Sequence, residues 1–259
     1  MPSARLNGID IEYQDGGSGP PVLLSHGYSA TGRMWDGQRE ALGGRYRVVS
    51  WDMRGHGSTS SPDDPAQYSH ALTVADMRAL LGHLGVGRAV IGGLSLGGTM
   101  SLAFYRAHPE MVRALVICDS GPGFRNDAAR EDWNKRARER ATALETRGLA
   151  VLEGRSAEAR QAIPHHTSAQ GLAHAARGML AQKDAAIIES LPSITVPTLV
   201  IVGDKDTPFL AACEYMAKKI PGARLEVIRD AGHSSNLDQP EAFNRVLGGF
   251  LDSLPPTQT

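Results

Sequence analysis

Residues 90–99 read VIGGLSLGGT, in which a serine lies between two pairs of glycines, directly after a short apolar run. The run at 89–91 predicts a buried strand, and 96–107 predicts a helix. A serine between them occupies a tight strand-to-helix turn, and its neighbours at minus two and plus two must be small because strand and helix approach closely. Gly93 and Gly97 meet that requirement. We interpret Ser95 as a candidate nucleophile, the alternative being a glycine turn whose serine only caps the helix.

Short apolar runs of this kind recur along the chain and predict the strands of a parallel sheet. Asn7-Gly8 predicts a β-hairpin over 4–15 at the start of the chain. The runs lie at 22–24, 47–51, 89–91, 114–118, 198–202 and 225–228, and helical patterns at 74–84 (with Thr73 as N-cap), 96–107, 210–219 and 241–251 alternate with them. This alternation predicts an α/β fold whose sheet is eight-stranded, mostly parallel and flanked by helices.

One long section contains no convincing strand. From residue 124 to 190 the chain is rich in Ala, Arg and Glu, and the pattern predicts several helices inserted between two strands. We interpret 124–190 as a small all-helical cap or lid. The flanking segments 1–123 and 191–259 then form the two parts of one α/β core.

Composition excludes several classes of function. The 259 residues carry a net charge of -1, which gives no electrostatic footprint for nucleic acid or an anionic membrane. The N-terminal residues MPSARLNGID form no apolar signal segment, and no apolar run approaches the ~18 residues of a membrane span. Cys118 and Cys213 lie in apolar stretches and are predicted to be buried free thiols. We therefore expect a cytoplasmic protein that binds neither nucleic acid nor membrane.

A serine hydroxyl needs a base near neutral pH, and the base is usually a histidine oriented by an acid. His233 follows the run at 225–228 and therefore lies at the same sheet edge as Ser95. Three aspartates are candidates for the acid. Asp206 and Asp204 follow the run at 198–202, where Asp204 suits a turn role, and Asp119 follows the run at 114–118.

Negative charge on the substrate oxygen requires an oxyanion hole, which backbone N–H groups usually form. The N–H of Leu96, the residue after the nucleophile, is one candidate donor. The N–H of Tyr28 is the other, because Gly27 allows the loop after the run at 22–24 to turn toward the site. His26 in this loop is predicted to have a structural role.

Histidines elsewhere do not have the spacing of zinc ligands. The stretch at 52–58, DMRGHGS, is predicted to form a rigid, self-bonded turn, and His165-His166 to form a solvated turn after Pro164. We expect no metal and no organic cofactor.

Taken together, the motifs resemble those of the α/β-hydrolase-fold serine hydrolases, and the resemblance extends over nearly the whole chain. The motifs are SHGYS (25–29), DMRGHGS (52–58), GLSLGG (93–98), GDKDTP (203–208) and AGHSSNLDQPEAF (231–243). In that family the acid follows the penultimate strand, three residues after a glycine, which implies Asp206. The implied order of nucleophile, acid and base is Ser95, Asp206 and His233.

The resemblance implies a carboxylic ester hydrolase that acts on a small-molecule ester. A serine nucleophile argues against epoxide opening and dehalogenation, which use an aspartate there. Leu94 and the following Leu-Gly-Gly are similar to bacterial 3-oxoadipate enol-lactonases, so a lactonase or a C–C bond hydrolase with the same triad is the alternative. Cofactor-free oxygenases or perhydrolases, and small-molecule receptors on this fold, remain further alternatives.

Large apolar side chains near these motifs are candidates for the substrate pocket, with core packing as the alternative for each. They are Tyr28, Trp35, Met100, Trp133, Phe209 and Leu210. An anionic lactone would also require a cation near the pocket. The predicted cap has many arginines, such as Arg125 and Arg177, which we interpret mostly as solvated surface charges.

Overall fold

The computed structural model describes residues 2–256 and contains one eight-stranded sheet. The strand order is β1-β2-β4-β3-β5-β6-β7-β8, with β1 and β2 antiparallel to their neighbours and all other pairs parallel. The predicted sheet is thereby confirmed, including the hairpin at Asn7-Gly8. The strands are β1 (Ser3–Leu6), β2 (Ile9–Gly16), β3 (Pro21–Ser25), β4 (Arg47–Trp51), β5 (Ala89–Leu94), β6 (Val112–Cys118), β7 (Thr198–Gly203) and β8 (Arg224–Ile228).

Helices connect the strands and cover both faces of the sheet. The α-helices are α1 (Asp36–Leu42), α2 (His70–His83), α3 (Leu96–Ala107), α4 (Asp127–Arg147), α5 (Ala157–Ala162), α6 (Ala169–Ala175), α7 (Ala186–Ser190), α8 (Thr207–Lys219), α9 (Ser235–Asp238) and α10 (Pro240–Asp252). Short 3₁₀ segments lie at Gly32–Trp35, Pro65–Gln67, Pro109–Met111, Gly148–Gly154, Ile163–His165 and Leu191–Ser193, and one π-helical turn lies at Ala176–Leu180.

The start of α2 differs from the prediction. Ser69, rather than Thr73, is the N-cap, and its hydroxyl accepts a hydrogen bond from the N–H of Leu72 at 3.2 Å. Thr73 is buried inside the helix, where its hydroxyl donates to the Ser69 carbonyl. Both residue types are suitable caps, and the sequence pattern alone therefore misplaced the first turn.

Alternating side chains of the parallel strands fill two cores, one on each face of the sheet. In β3, Leu23 packs on one face while Val22 and Leu24 pack on the other. Helices α2, α3 and α8 cover the Leu23 face, and α1 and α10 cover the opposite face. This two-sided burial explains why the strands are nearly continuous apolar runs.

The segment between β6 and β7 contains the helices α4–α7, joined by 3₁₀ segments, a π-helical turn and loops, and no strand. A small apolar cluster of its own joins α4, the following 3₁₀ segment and α6, and it consists of Ala141, Leu144, Leu152, Leu172, Ala173 and Ala176. The boundaries 1–123, 124–190 and 191–259 stay a prediction, and residues 1 and 257–259 lie outside the described part. We call residues 124–190 the cap below.

The structure contains no disulfide between the two cysteines and no membrane-spanning helix among the described residues. Cys118 and Cys213 are both buried and unpaired, as predicted. Among residues 2–256 no helix combines the length and the apolar character that crossing a membrane requires.

Candidate active site

Ser95 lies on a strained turn between β5 and α3. Its φ of 54° and ψ of -114° are uncommon for a residue with a side chain, and such strain is found most often at functional sites. The Ser95 N–H donates to the Cys118 carbonyl at 2.9 Å, and the Ser120 hydroxyl donates to the Ser95 carbonyl at 2.6 Å. These bonds to the end of β6 hold the turn in its strained conformation.

The flanking glycines are required by close packing of the backbone. A Cβ atom at Gly97 would lie 2.2 Å from the carbonyl oxygen of Ser25, and one at Gly93 would lie 2.6 Å from the same oxygen. A Cβ atom at Gly98 would lie 2.6 Å from the Cβ of Ser120. The sequence-based argument that strand and helix approach too closely for side chains is confirmed.

His233 and Asp206 are brought together at the C-terminal edge of the sheet. The Nδ1–H of His233 donates to Oδ2 of Asp206 at 2.8 Å, and the Asp206 side chain is only 4% exposed. Asp206 directly precedes α8, after β7, and His233 lies in the loop between β8 and α9. The buried carboxylate therefore fixes the imidazole in the tautomer that leaves Nε2 free to accept a proton.

Opposing effects act on the pKa of His233. Burial lowers this pKa, but the hydrogen bond and the negative charge of Asp206, with smaller contributions from Glu158 and Asp119, outweigh burial and raise it above the ordinary value. Phe209 stacks on the imidazole, with ring centroids 4.8 Å apart. The site thus favours the imidazolium form that a general base must pass through.

The two other candidate acids are engaged elsewhere. Asp119 is fully buried, and its carboxylate accepts hydrogen bonds from the Gly203 N–H at 2.8 Å and from the Ser235 hydroxyl. Burial raises the pKa of Asp119 to about 7. Asp204 accepts a hydrogen bond from the Ala231 N–H at 3.3 Å, which matches its predicted turn role. Asp206 is the one of the three that hydrogen-bonds to His233.

The loop after β3 packs directly on the nucleophile turn. A Cβ atom at Gly27 would lie 3.5 Å from the Cβ of Ser95. Tyr28 and Leu96 both line the cavity that holds Ser95, and within residues 2–256 the backbone N–H of neither residue donates a hydrogen bond to another group. Two unsatisfied donors beside a serine are available for an oxyanion.

A cavity of about 600 Å³ lies between the core and the cap, and Ser95, Asp206 and His233 all line it. Of the predicted pocket residues, Tyr28, Trp133 and Phe209 line this cavity. Trp35, Met100 and Leu210 do not: Trp35 and Met100 are fully buried in the two cores, and Leu210 packs against one of them. The prediction that these three residues line the pocket is therefore wrong. They pack in the core, which was the stated alternative.

Two buried histidines have structural roles, and one of them, His166, connects the cap to the core. His166 was predicted to be solvated, but it is buried: its Nδ1 accepts from the Gly57 N–H and its Nε2–H donates to the Ser29 carbonyl, both at 3.0 Å. His26 donates to the Gly27 carbonyl and accepts from the Met53 N–H, in agreement with a structural role. Burial lowers the pKa of both histidines, which favours their neutral form. The prediction for His166 failed because its partners are remote in sequence.

Glu158 is a cap residue at the cavity that the sequence did not single out. It lies on α5, is 4% exposed, lines the cavity, and accepts hydrogen bonds from the hydroxyls of Ser156 and Ser234. Ser234 is adjacent to His233, so the cap places a carboxylate next to the candidate base. No local motif marks Glu158, because the contact with Ser234 spans 76 residues.

Across residues 2–256, no group of three or more His, Cys, Asp or Glu side chains is arranged to hold a metal ion. The 52–58 turn is self-bonded, as predicted: Asp52 accepts from the Ser58 N–H, and the His56 N–H donates to the Met53 carbonyl.

Known proteins share this fold and sequence pattern. The model of the alpha/beta hydrolase family matches residues 22–246. 3-Oxoadipate enol-lactonase 1 of Acinetobacter baylyi is 29% identical over 97% of this chain and 93% of its own length. A thermophilic esterase from Thermogutta terrifontis, solved with malate bound, has a TM-score of 0.85 at 30% identity, covering 95% of this chain and 94% of that one. The enol-lactonase of Burkholderia xenovorans LB400 has a TM-score of 0.84 at 28% identity, covering 97% and 100%.

These similarities agree with the motifs read from the sequence and support a hydrolase activity. The family model spans the candidate nucleophile turn, the acid loop and the histidine loop. The resemblance to an esterase and enol-lactonase group is confirmed, and the chain belongs to the alpha/beta hydrolase family.

Proposed function

We propose that this protein is a serine hydrolase that cleaves carboxylic esters of small to medium-sized substrates through an acyl-enzyme intermediate. One observation carries the proposal. A serine on a strained turn shares a cavity with a histidine whose Nδ1–H is bound by a buried aspartate at 2.8 Å. This arrangement activates a serine hydroxyl that would otherwise be a weak nucleophile.

The first half-reaction forms the acyl-enzyme. Ser95 Oγ attacks the ester carbonyl carbon while its proton passes to Nε2 of His233, and Asp206 stabilises the resulting imidazolium. The negative charge that develops on the carbonyl oxygen is bound by the N–H groups of Tyr28 and Leu96. The tetrahedral intermediate then collapses, the bond to the leaving oxygen breaks, and His233 returns the proton to the leaving alcohol.

Water completes the second half-reaction. His233 takes a proton from water, the hydroxide attacks the acyl carbon, and Ser95 leaves with the proton as the free acid is released. Within residues 2–256 the Ser95 hydroxyl makes no hydrogen bond. Catalytic hydrogen bonds are often long before substrate binds, so this geometry is compatible with the role.

Lactone hydrolysis is the second candidate, because two of the similar proteins are named enol-lactonases. A lactone is an internal ester, so the same residues act in the same order, and the leaving alcohol stays attached to the acyl group. The two candidates differ in substrate shape and not in mechanism.

The test is hydrolysis of p-nitrophenyl esters from acetate to decanoate, together with a panel of lactones, by the wild type and by Ser95→Ala. We expect clear turnover by the wild type that falls by ~10⁴-fold or more in the variant. Folding of both proteins is checked by circular dichroism. A folded wild type that cleaves none of these compounds, or a variant that keeps its activity, overturns the proposal in favour of a C–C hydrolase, a perhydrolase or a receptor.

A further inference from the structure

The cap side of the cavity carries three arginines. Arg136 and Arg140 lie on α4, and Arg155 follows the 3₁₀ segment Gly148–Gly154. Trp133, Arg136, Arg140 and Leu144 all line the cavity. Their spacing of three, four and four residues puts them on one helical stripe, so α4 presents this face to the cavity. That spacing is a sequence signal, although it becomes decisive only once the cavity is known.

These three arginines have no carboxylate partner within residues 2–256, unlike their neighbours. Elsewhere in the cap, Arg130 pairs with Asp127, Arg138 with Glu131, and Arg177 with Glu145 at 2.7 Å. The interpretation of Arg177 as a surface charge therefore stands, whereas the arginines at the cavity are a separate group. The guanidinium of Arg136 lies 6.0 Å from the ring centroid of Trp133, which is a cation–π contact and does not neutralise its charge.

The acidic side chains at the cavity are already engaged. Asp206 binds His233, and Glu158 accepts hydrogen bonds from Ser156 and Ser234. Within residues 2–256 neither forms an ion pair with an arginine, and against its three arginines the cap contributes one carboxylate, Glu158, to the cavity lining. The cavity therefore has an excess of positive charge on its cap side.

The three charges also act on one another. Burial lowers the pKa of Arg140, and the positive charges of Arg155 and Arg136 lower it further. Arg140 and Arg155 likewise oppose the rise that burial causes in the pKa of Tyr28. Like charges held together at a partly buried site repel each other, and a bound anion relieves that repulsion.

We propose that the substrate carries a carboxylate away from the scissile carbonyl, and that Arg136, Arg140 and Arg155 bind it. This inference rests on the proposed function and names its substrate class: monoesters, or lactones, that bear a free carboxylate. Guanidinium groups bind carboxylates by charge-assisted, often bidentate, hydrogen bonds. The apolar part of the substrate then lies against Trp133 and Phe209, whose rings meet edge to face at 6.4 Å.

The experiment compares two substrates of equal acyl length, mono-4-nitrophenyl adipate and its neutral methyl ester. We expect the wild type to prefer the anionic ester by about ten-fold or more in kcat/KM, mainly through KM. This preference should shrink as salt rises, because ions screen the attraction. The Arg140→Gln variant should lose most of the preference, and Arg140→Lys should keep part of it because the charge remains.

Arg138→Gln is the matched control, since Arg138 lies on the same helix but pairs with Glu131. It should leave both rates unchanged. A second pair, 4-acetoxybenzoate and phenyl acetate, places the carboxylate on the alcohol instead. A preference for either anionic substrate that Arg140→Gln removes supports the inference and locates the carboxylate.

The two proposals fail in different ways. If the wild type cleaves the neutral esters through Ser95 but prefers neither anionic substrate, the arginine inference is overturned and the hydrolase proposal stands. If Arg138→Gln weakens the preference as much as Arg140→Gln does, general surface charge explains it and the inference is likewise overturned. A folded wild type that cleaves no ester of either kind contradicts the proposed function itself.

Discussion

The edge of the sheet and the cap contribute to one cavity by different means. At the sheet edge, Ser95, Asp206 and His233 follow β5, β7 and β8, and close backbone packing constrains the turn that carries Ser95. In the cap, Arg140 reaches the cavity from α4, which packs on a small apolar cluster, and Glu158 reaches it from α5. Under the proposed function, the sheet edge supplies the reacting groups, whereas the cap selects the substrate by which face of α4 it presents.

The two regions also differ in how they hold charge. In the core, Arg54 and Asp76 form a bidentate pair at 2.7 and 2.8 Å, and both side chains are completely buried. In the cap, Arg138 and Glu131 pair while largely exposed to solvent. A buried ion pair holds its side chains in one geometry, because breaking it leaves an unpaired charge in the protein interior. An exposed pair contributes little to stability. We therefore expect substitutions at the sheet edge to have large effects and most cap substitutions to have small ones.

The largest expected effect is at the acid. Asp206→Asn should lower kcat/KM for esters by ~10⁴-fold, because an amide no longer holds His233 in the required tautomer or stabilises its charge. Asp119→Asn is the matched control on a neighbouring strand. It should cost less than about ten-fold, since the pKa of Asp119 is raised to about 7 and its role is to accept structural hydrogen bonds. The measurement is kcat/KM of both variants on one ester. A larger loss in Asp119→Asn than in Asp206→Asn would make Asp119 the acid.

A smaller effect is expected from backbone packing at the nucleophile turn. Gly97→Ala should lower the free energy of unfolding by about 3 kcal/mol, because the new Cβ would lie 2.2 Å from the Ser25 carbonyl oxygen and the backbone must shift. Gly154→Ala in the cap is the control, since its Cβ would meet no atom within 4 Å. Urea unfolding measures both variants. Equal stabilities would show that the turn is not held as tightly as the packing indicates.

The sheet edge could be predicted from the sequence because close packing of the backbone restricts which residue types can occur there. Gly93 and Gly97 are required by the contact of β5 and α3 with Ser25, and that requirement is visible as a pattern. The apolar runs predicted the strands because both faces of the sheet are buried. The positions of His233 and of the candidate acids could be predicted because parallel strands end at a common edge, and the family resemblance then implied Asp206 among those acids.

The cap could not be predicted at the same level, because its important contacts depend on how helices rotate and pack. The spacing of Trp133, Arg136, Arg140 and Leu144 places Arg140 on one face of α4, but the sequence does not show that this face, rather than the face with Arg138, meets the cavity. His166 and Glu158 reach the core through partners far away in the chain. Trp35 and Met100 illustrate the opposite error, because large apolar residues near a catalytic motif pack in the core as readily as they line a pocket.

The smallest expected effect is that of Glu158, in the cap, on the pKa of His233, at the sheet edge. His233 is surrounded by the carboxylates of Asp206, Glu158 and Asp119, which raise its pKa against the effect of burial. Activity requires neutral His233, so kcat/KM should fall as the pH drops through this raised pKa. Glu158→Gln removes one stabilising charge, which lowers the pKa of His233. The acid limb of the profile of kcat/KM against pH should therefore move to lower pH, by about one unit or less.

Glu153→Gln provides the control for this shift, because Glu153 is an exposed residue of the same cap segment. Its profile should coincide with that of the wild type. A wild-type profile in both variants would mean that Glu158 is too well screened to act on His233, and the cap would then serve recognition alone. A shift confined to Glu158→Gln would instead make the cap part of the electrostatics of catalysis, so that the cap adjusts the pKa of the base as well as selecting the substrate.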